Sequence, residues 1–315
     1  MARSSPSSRW SILRILALFF ALTLVVAACG DDDDGGDDAS GGSESASGIE
    51  AVEPFFPLDA DGNEVLPCGG YGFRLENQDF RDAFNEQLNA FRDDGTTTDI
   101  IAGYEEFSED DVTKANGLTV ADIAPAAADG STGGGLLEDL QNAGSITIGL
   151  ANEVPYGSVG DDGEPTGIAP DVATVVLEEL GIENVNAEVV EFGQLISGLQ
   201  AGTFDMIAAG MYINDERAQQ ILFSDPDYCV AESLAVAAGN PEGIVDYTSF
   251  IDNPDLTLAV ASGTVEVGYA EDAGISDDQL RVFSSIDDMY GALEAGEVDA
   301  VTGTAATVQI QVGAR

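Results

Sequence analysis

The chain has 315 residues, with 58 Asp plus Glu against 10 Lys plus Arg, a formal charge of −48 and no histidine. That excess of acid argues against nucleic acid or an anionic lipid surface as partner. Without histidine there is no Ser-His-Asp or Cys-His catalysis, no His-ligated zinc and no imidazole pH switch.

Arg3, Arg9 and Arg14 precede an apolar run, Ile15 to Val26, that ends in Ala27-Ala28-Cys29. A charged start, an apolar centre too short to span a bilayer and small residues before a cut describe an export signal, residues 1–28. The cysteine directly after it resembles a bacterial lipobox, which implies a lipidated Cys29 and a place on the outer face of the cytoplasmic membrane or in the periplasm. The Asp, Gly, Ser and Ala residues of 29–50 have nothing to bury and are expected to form a disordered acidic tether. Exported cysteines pair by default; for Cys68 and Cys229 free thiols are the alternative. Asp59-Ala-Asp-Gly62-Asn-Glu64 lacks calcium-loop spacing, so a hairpin turn is expected and no metal site.

Phe80, Phe84, Leu88 and Phe91 recur at helical spacing, which predicts a helix over Gln78–Arg92, with Asn77 as cap and Gly95 as stop. Residues 124–135, Ala-Pro-Ala-Ala-Ala-Asp-Gly-Ser-Thr-Gly-Gly-Gly, read as a flexible linker. Strands and helices then alternate. Strands are expected at Ser145–Ala151, Glu188–Glu191, Phe204–Gly210, Cys229–Ala238, Leu256–Ala261 and Val298–Thr302. Helices are expected at Pro170–Leu180, Gly193–Ala201, Asn214–Leu222, Val265–Asp272, Ile286–Ala295 and Ala305–Val312. Two such series separated by one long strand predict an α/β protein of two lobes with a cleft between them.

Arg217 is the lone basic residue between Lys114 and Arg281. By itself it could pair with Asp215 or Glu216, or serve as a fork for one carboxylate. Its surroundings decide between these. Gly149-Leu-Ala-Asn-Glu153-Val-Pro-Tyr156, Thr166-Gly-Ile-Ala-Pro-Asp171, Phe192-Gly-Gln-Leu-Ile-Ser-Gly-Leu-Gln-Ala-Gly202, Phe204-Asp-Met-Ile-Ala-Ala-Gly-Met-Tyr212, Asp215-Glu-Arg217 and Phe223-Ser-Asp-Pro226 occur in the order that resembles a type II extracellular solute-binding protein of an ABC importer. The class is that of polar amino acids (family 3), and the variants most resemble its ectoine/hydroxyectoine-binding branch.

The resemblance implies a two-lobed fold with two mixed sheets and a ligand cleft at a two-strand hinge, in circularly permuted order. Residues 51–67 would end lobe 2, 68–123 would be the closing part of lobe 1 moved to the front, and 124–135 the linker. Residues 136–228 would then form the main part of lobe 1, and 229–315 the hinge strand and the main part of lobe 2. It implies Arg217, helped by helix amides, for a ligand carboxylate, and Tyr156, Phe192 and Tyr212 as aromatic walls for a delocalised cation. It also implies Glu153 facing that cation, Thr264 and Glu266 on the closing loop of lobe 2, and a Cys68–Cys229 disulfide at the hinge. Gly303 and Thr304 stand where α-amino-acid binders commonly place an Asp. The expected function is a monomeric, non-enzymatic receptor without cofactor that delivers a small zwitterion to permease subunits. A polar amino-acid binder, a dehydratase-like enzyme on the same scaffold and a sensor ectodomain are the rivals.

Overall fold

The structure is a computed structural model that describes residues 48–315; the expected signal, Cys29 and the expected tether as far as residue 47 lie outside the described residues. Two five-stranded sheets make two lobes. In lobe 1 the order is Asn184–Val189, Ser145–Leu150, Met206–Ile207, Gly72–Phe73, Leu222–Phe223. The first three run parallel, and Gly72–Phe73 lies antiparallel between its two neighbours. In lobe 2 the order is Ile49–Ala51, Glu232–Ala237, Ala300–Thr304, Leu258–Ala261, Leu280–Phe283, with the last three parallel and the first two antiparallel. Both sheets are mixed, as expected. A strand therefore starts at Ile49, inside the stretch assigned to the tether.

Residues from both sides of the 124–135 stretch build lobe 1. The helix Gln78–Asp94 forms as the Phe spacing predicts and ends on Gly95 in the left-handed conformation. Its Phe80 and Phe84 rings pack at 5.2 and 5.4 Å on Phe73, which lies in the central strand pairing with 206–207 and 222–223. Asn77 does not cap this helix: its side chain makes no cap hydrogen bond and is buried, with Nδ2 unpartnered. The 124–135 stretch is not a free tether either. The Ala126 amide donates to Asp215 Oδ1 at 2.8 Å, the Ala128 amide to Ala218 O at 2.8 Å, and the Ser131 amide to Leu75 O at 2.8 Å. Polar composition predicted flexibility, but each peptide still needs a partner, and here lobe 1 supplies several.

Other boundaries move for the same reason. The expected strand Cys229–Ala238 is two elements. Tyr228–Cys229 pairs antiparallel with Cys68–Gly69, and Glu232–Ala237 joins the lobe 2 sheet. The expected helix Asn214–Leu222 is one turn, Asp215–Ala218, because the strand Leu222–Phe223 follows almost at once. Five α-helices were not expected: Thr96–Ile101, Glu109–Ala115, Val120–Ile123, Leu136–Ala143 and Thr248–Asp252. Asp59 to Glu64 is a hairpin turn, with Leu58 bridged to Glu64 and the Asp59 carboxylate accepting the Asn63 amide at 2.8 Å.

The chain passes between lobes at 51–72 and at 223–232. Cys68 and Cys229 stand directly opposite each other in the antiparallel register of the hinge and are joined by a disulfide, Cα–Cα 4.0 Å.

Candidate ligand site between the lobes

Arg217 sits on the Asp215–Ala218 turn, whose start is held by Asn214 Oδ1 accepting the Arg217 amide at 2.9 Å. With the cap filled and only one turn of helix, free amides add little to an anion site. The side chain carries the weight. It is 6% exposed; Nη1 donates to Tyr212 O at 2.8 Å and Nη2 to Gly263 O of lobe 2 at 2.9 Å. Its Cζ lies 5.4 Å from the Phe192 ring centroid. Among the described residues the guanidinium has no carboxylate salt-bridge partner, and Asp215 is occupied by the Ala126 amide. Burial pulls the Arg217 pKa down and the nearby Glu266 offsets part of that pull. Arginine remains charged under such a shift.

All seven side chains expected in the site line one small cavity of about 30 Å³: Glu153, Tyr156, Phe192, Tyr212, Arg217, Thr264 and Glu266. Glu153, Phe192, Thr264 and Glu266 also border an adjoining groove of about 600 Å³ between the lobes. Glu153 is fixed by reciprocal backbone bonds with Gly157, both 2.8 Å, and its Oε1 accepts the Thr307 hydroxyl of lobe 2 at 3.0 Å. Burial, then the Glu266 charge, pushes its carboxyl up to about 7, against the Thr307 hydrogen bond. The hydroxyls of Tyr156 and Tyr212 and Oε2 of Glu266 are buried without a partner. Desolvation raises both phenols well above their ordinary range. Thr264 donates its hydroxyl to Ala261 O at 3.0 Å, which leaves the oxygen able to accept.

Two glycines bring the lobes together. Gly263 has φ +79°, and a Cβ there would stand 2.7 Å from the Gly193 Cα of lobe 1; a Cβ on Gly193 would meet Ser262 O at 3.2 Å. Gly210 plays a related part within lobe 1, since a Cβ on it would strike the Tyr156 ring at 2.5 Å.

Sequence reasoning missed Thr307, Gly193, Gly263 and Glu232. The signal for Glu232 was present: a single carboxyl inside the apolar run Cys229-Val-Ala-Glu-Ser-Leu-Ala-Val-Ala-Ala238. Gly303 and Thr304 do occupy the end of the Ala300–Thr304 strand. Thr304 lines the cavity, and its hydroxyl accepts the Thr307 amide at 3.2 Å.

A two-lobed α/β fold with a hinge of two strands and a polar–aromatic cleft between the lobes is the architecture of a solute receptor. The profile of the bacterial extracellular solute-binding proteins, family 3, matches residues 146–275. The crystal structure of EhuB in complex with hydroxyectoine is 35% identical, covering 57% of this chain and 70% of that one, with a TM-score of 0.54. The chain belongs to the bacterial extracellular solute-binding proteins, family 3. It is also 35% identical over 173 residues to a probable amino-acid ABC transporter periplasmic-binding protein of Sinorhizobium fredii, covering 54% of this chain and 57% of the relative. A structure of holo ArgBP from T. maritima is 25% identical, covering 56% of this chain and 76% of that one, TM-score 0.51. The chain spans 57% to 63% of the length of the first curated relatives it matches. Among the described residues no helix is long and apolar enough to cross a membrane.

Proposed function

We propose that the protein is the extracellular receptor of an ABC importer and binds ectoine or hydroxyectoine, small zwitterions with a delocalised N–H-bearing cation, between its closing lobes. The observation that carries this reading is the convergence of one guanidinium, two carboxyls and three aromatic rings on a single cleft. Arg217 would exchange its bond to Gly263 O for the solute carboxylate, a charge-assisted pair stronger than a neutral acceptor. Tyr156, Phe192 and Tyr212 offer ring faces to the cation. Glu153 and Glu266 offer carboxyl acceptors. Buried acceptors that lack a donor favour a cation carrying N–H groups over a quaternary ammonium, which would leave them unpaired.

The likeness to EhuB bound to hydroxyectoine supports this choice of solute. A polar amino acid is the second reading, since the first four curated relatives carry amino-acid names. Gly303 and Thr304 at the end of the lobe 2 strand speak against it, because neither supplies an anion for an α-amino group. Calorimetry with hydroxyectoine, ectoine, glutamate, glutamine and arginine decides. Ectoines binding at least tenfold tighter than the amino acids is the expected result, and the reverse order would overturn it. Recovery of the bound solute unchanged is expected of a receptor; turnover would make the protein an enzyme.

Two further parts of this reading concern the chain's organisation. An export signal with a lipidated Cys29 would tether a monomeric receptor beside its permease subunits, and globomycin-sensitive processing with membrane partitioning tests it. A circular permutation would explain why 68–123 supplies the central strand and Phe-rich helix of lobe 1 while the family match begins at residue 146. Peptide mapping of the purified native protein, with fragments that span residues 115–145, checks that order.

A further inference from the structure

Glu232 is completely buried, yet neither of its carboxyl oxygens has a hydrogen-bond donor. Its position is fixed by the backbone. It lies opposite Thr304 in the lobe 2 sheet, and exchanges two 2.9 Å backbone bonds with Phe55. The groups that face it are acids and phenols: Glu266 and Tyr269 from the helix Glu266–Ala273, Glu153 and Tyr156 from the segment after Ser145–Leu150, Tyr212, and Tyr247. The cation of the cleft, Arg217, faces Glu266 instead. One oxygen of Glu266 is itself buried without a donor. Both Glu232 oxygens and one Glu266 oxygen lack a donor, with no cation between the two carboxyls, and a proton held on Glu232 would supply the missing donor.

We propose that Glu232 and Glu266 share one proton as a carboxyl–carboxylate pair, so that Glu232 is a positioning residue: it donates to Glu266 and leaves one anionic oxygen of Glu266 for the cationic end of the solute. The solute half of this statement rests on the function proposed above; the proton half does not. Burial first, then the Glu266 and Glu153 charges, hold the Glu232 carboxyl well above its ordinary range. The folded protein therefore keeps a proton that the unfolded chain releases above the usual carboxylate pKa. Stability is greatest below that value and falls as pH rises toward the folded pKa. A glutamine at 232 supplies an N–H donor at every pH and has no proton to lose.

The test has two readouts. Melting of the solute-free protein from pH 5 to pH 9 should show Glu232→Gln gaining on the wild type as pH rises, by several degrees at the upper end; parallel curves overturn the shared proton. Titration with hydroxyectoine at pH 7 should show Glu232→Leu about tenfold weaker or more, with Glu232→Gln restoring most of that loss. Glu232→Gln as weak as Glu232→Leu overturns the positioning role. If the wild type binds no hydroxyectoine, the proposed solute is wrong while the melting curves still decide the proton. If Glu232→Leu does not fold, the comparison of Glu232→Gln with wild type stands alone.

Discussion

The contact between Gly193 and Gly263 separates the cost of folding from the cost of closing. Gly263→Ala introduces two penalties. Its φ of +79° is a left-handed conformation, which costs an L-residue roughly 1–2 kcal/mol whether the lobes are open or closed. On a domain of this size that lowers Tm by roughly 2–6 °C. The second penalty exists only in the closed form. The new Cβ would stand 2.7 Å from Gly193 Cα, backbone against backbone with no side chain to swing aside. The lobes must part by some tenths of an ångström, which draws Thr264 and Glu266 of lobe 2 back from the cavity they line. Loss of about 1.4 kcal/mol in the closed form is about tenfold in Kd. Gly193→Ala carries the closing penalty alone: its φ is not in the left-handed range and its Cβ meets Ser262 O at 3.2 Å. The expected pattern is Gly263→Ala lowering both Tm and hydroxyectoine affinity, and Gly193→Ala lowering affinity at unchanged Tm. Differential scanning fluorimetry and calorimetry read both. Wild-type affinity in Gly263→Ala would refute the argument that these backbones touch when solute is held.

Arg217→Met should reduce hydroxyectoine affinity by roughly 2–5 kcal/mol, about 30-fold at least, and Arg217→Lys should recover only part, because an ammonium lacks the planar fork; calorimetry within threefold of wild type for either would remove Arg217 from the site. Tyr71 donates its hydroxyl to the buried Asp227 at 2.8 Å, and burial pushes that carboxyl up to about 6. Tyr71→Phe should therefore lower stability at pH 7 by about 1–3 kcal/mol in denaturant melts. The difference should shrink below pH 6, where Asp227 takes up its proton and its charge no longer needs the donor. Reducing Cys68–Cys229, separated by 161 residues in sequence, should cost up to about 5 kcal/mol by the chain-entropy argument, seen as a large drop in Tm with reductant.

The readable parts of this sequence were those in which local pattern and tertiary demand agree. The Phe80-Phe84-Leu88 stripe needed one apolar face and found it against Phe73, so helix, face and stop were legible. What was legible in the candidate site is a convergence: ordered motifs pointed to Glu153, Tyr156, Phe192, Tyr212, Arg217, Thr264 and Glu266, and all seven line one cavity. Their partners were not legible. Glu232 is hidden in an apolar strand, and its meaning depends on a carboxyl 34 positions later that only the fold brings near. Asn77 has a capping side chain, but burial turns it away from the helix start. Residues 124–135 have a linker's composition and are nonetheless held by the carbonyls of Leu75 and Ala218 and the carboxylate of Asp215. Composition reports what a segment lacks, a core of its own, and not what its neighbours provide.

The disulfide at the hinge also changes the topology of the molecule. Residues 68–229 become a covalent ring that contains lobe 1 with its strap, and both strands leading into lobe 2 leave that ring at the same knot. One cut anywhere inside the ring, in the 124–135 strap for instance, opens it without releasing a fragment until the sulfurs are reduced. A chain whose lobe 1 is stitched from two separated stretches thus behaves toward a protease as though they were never apart.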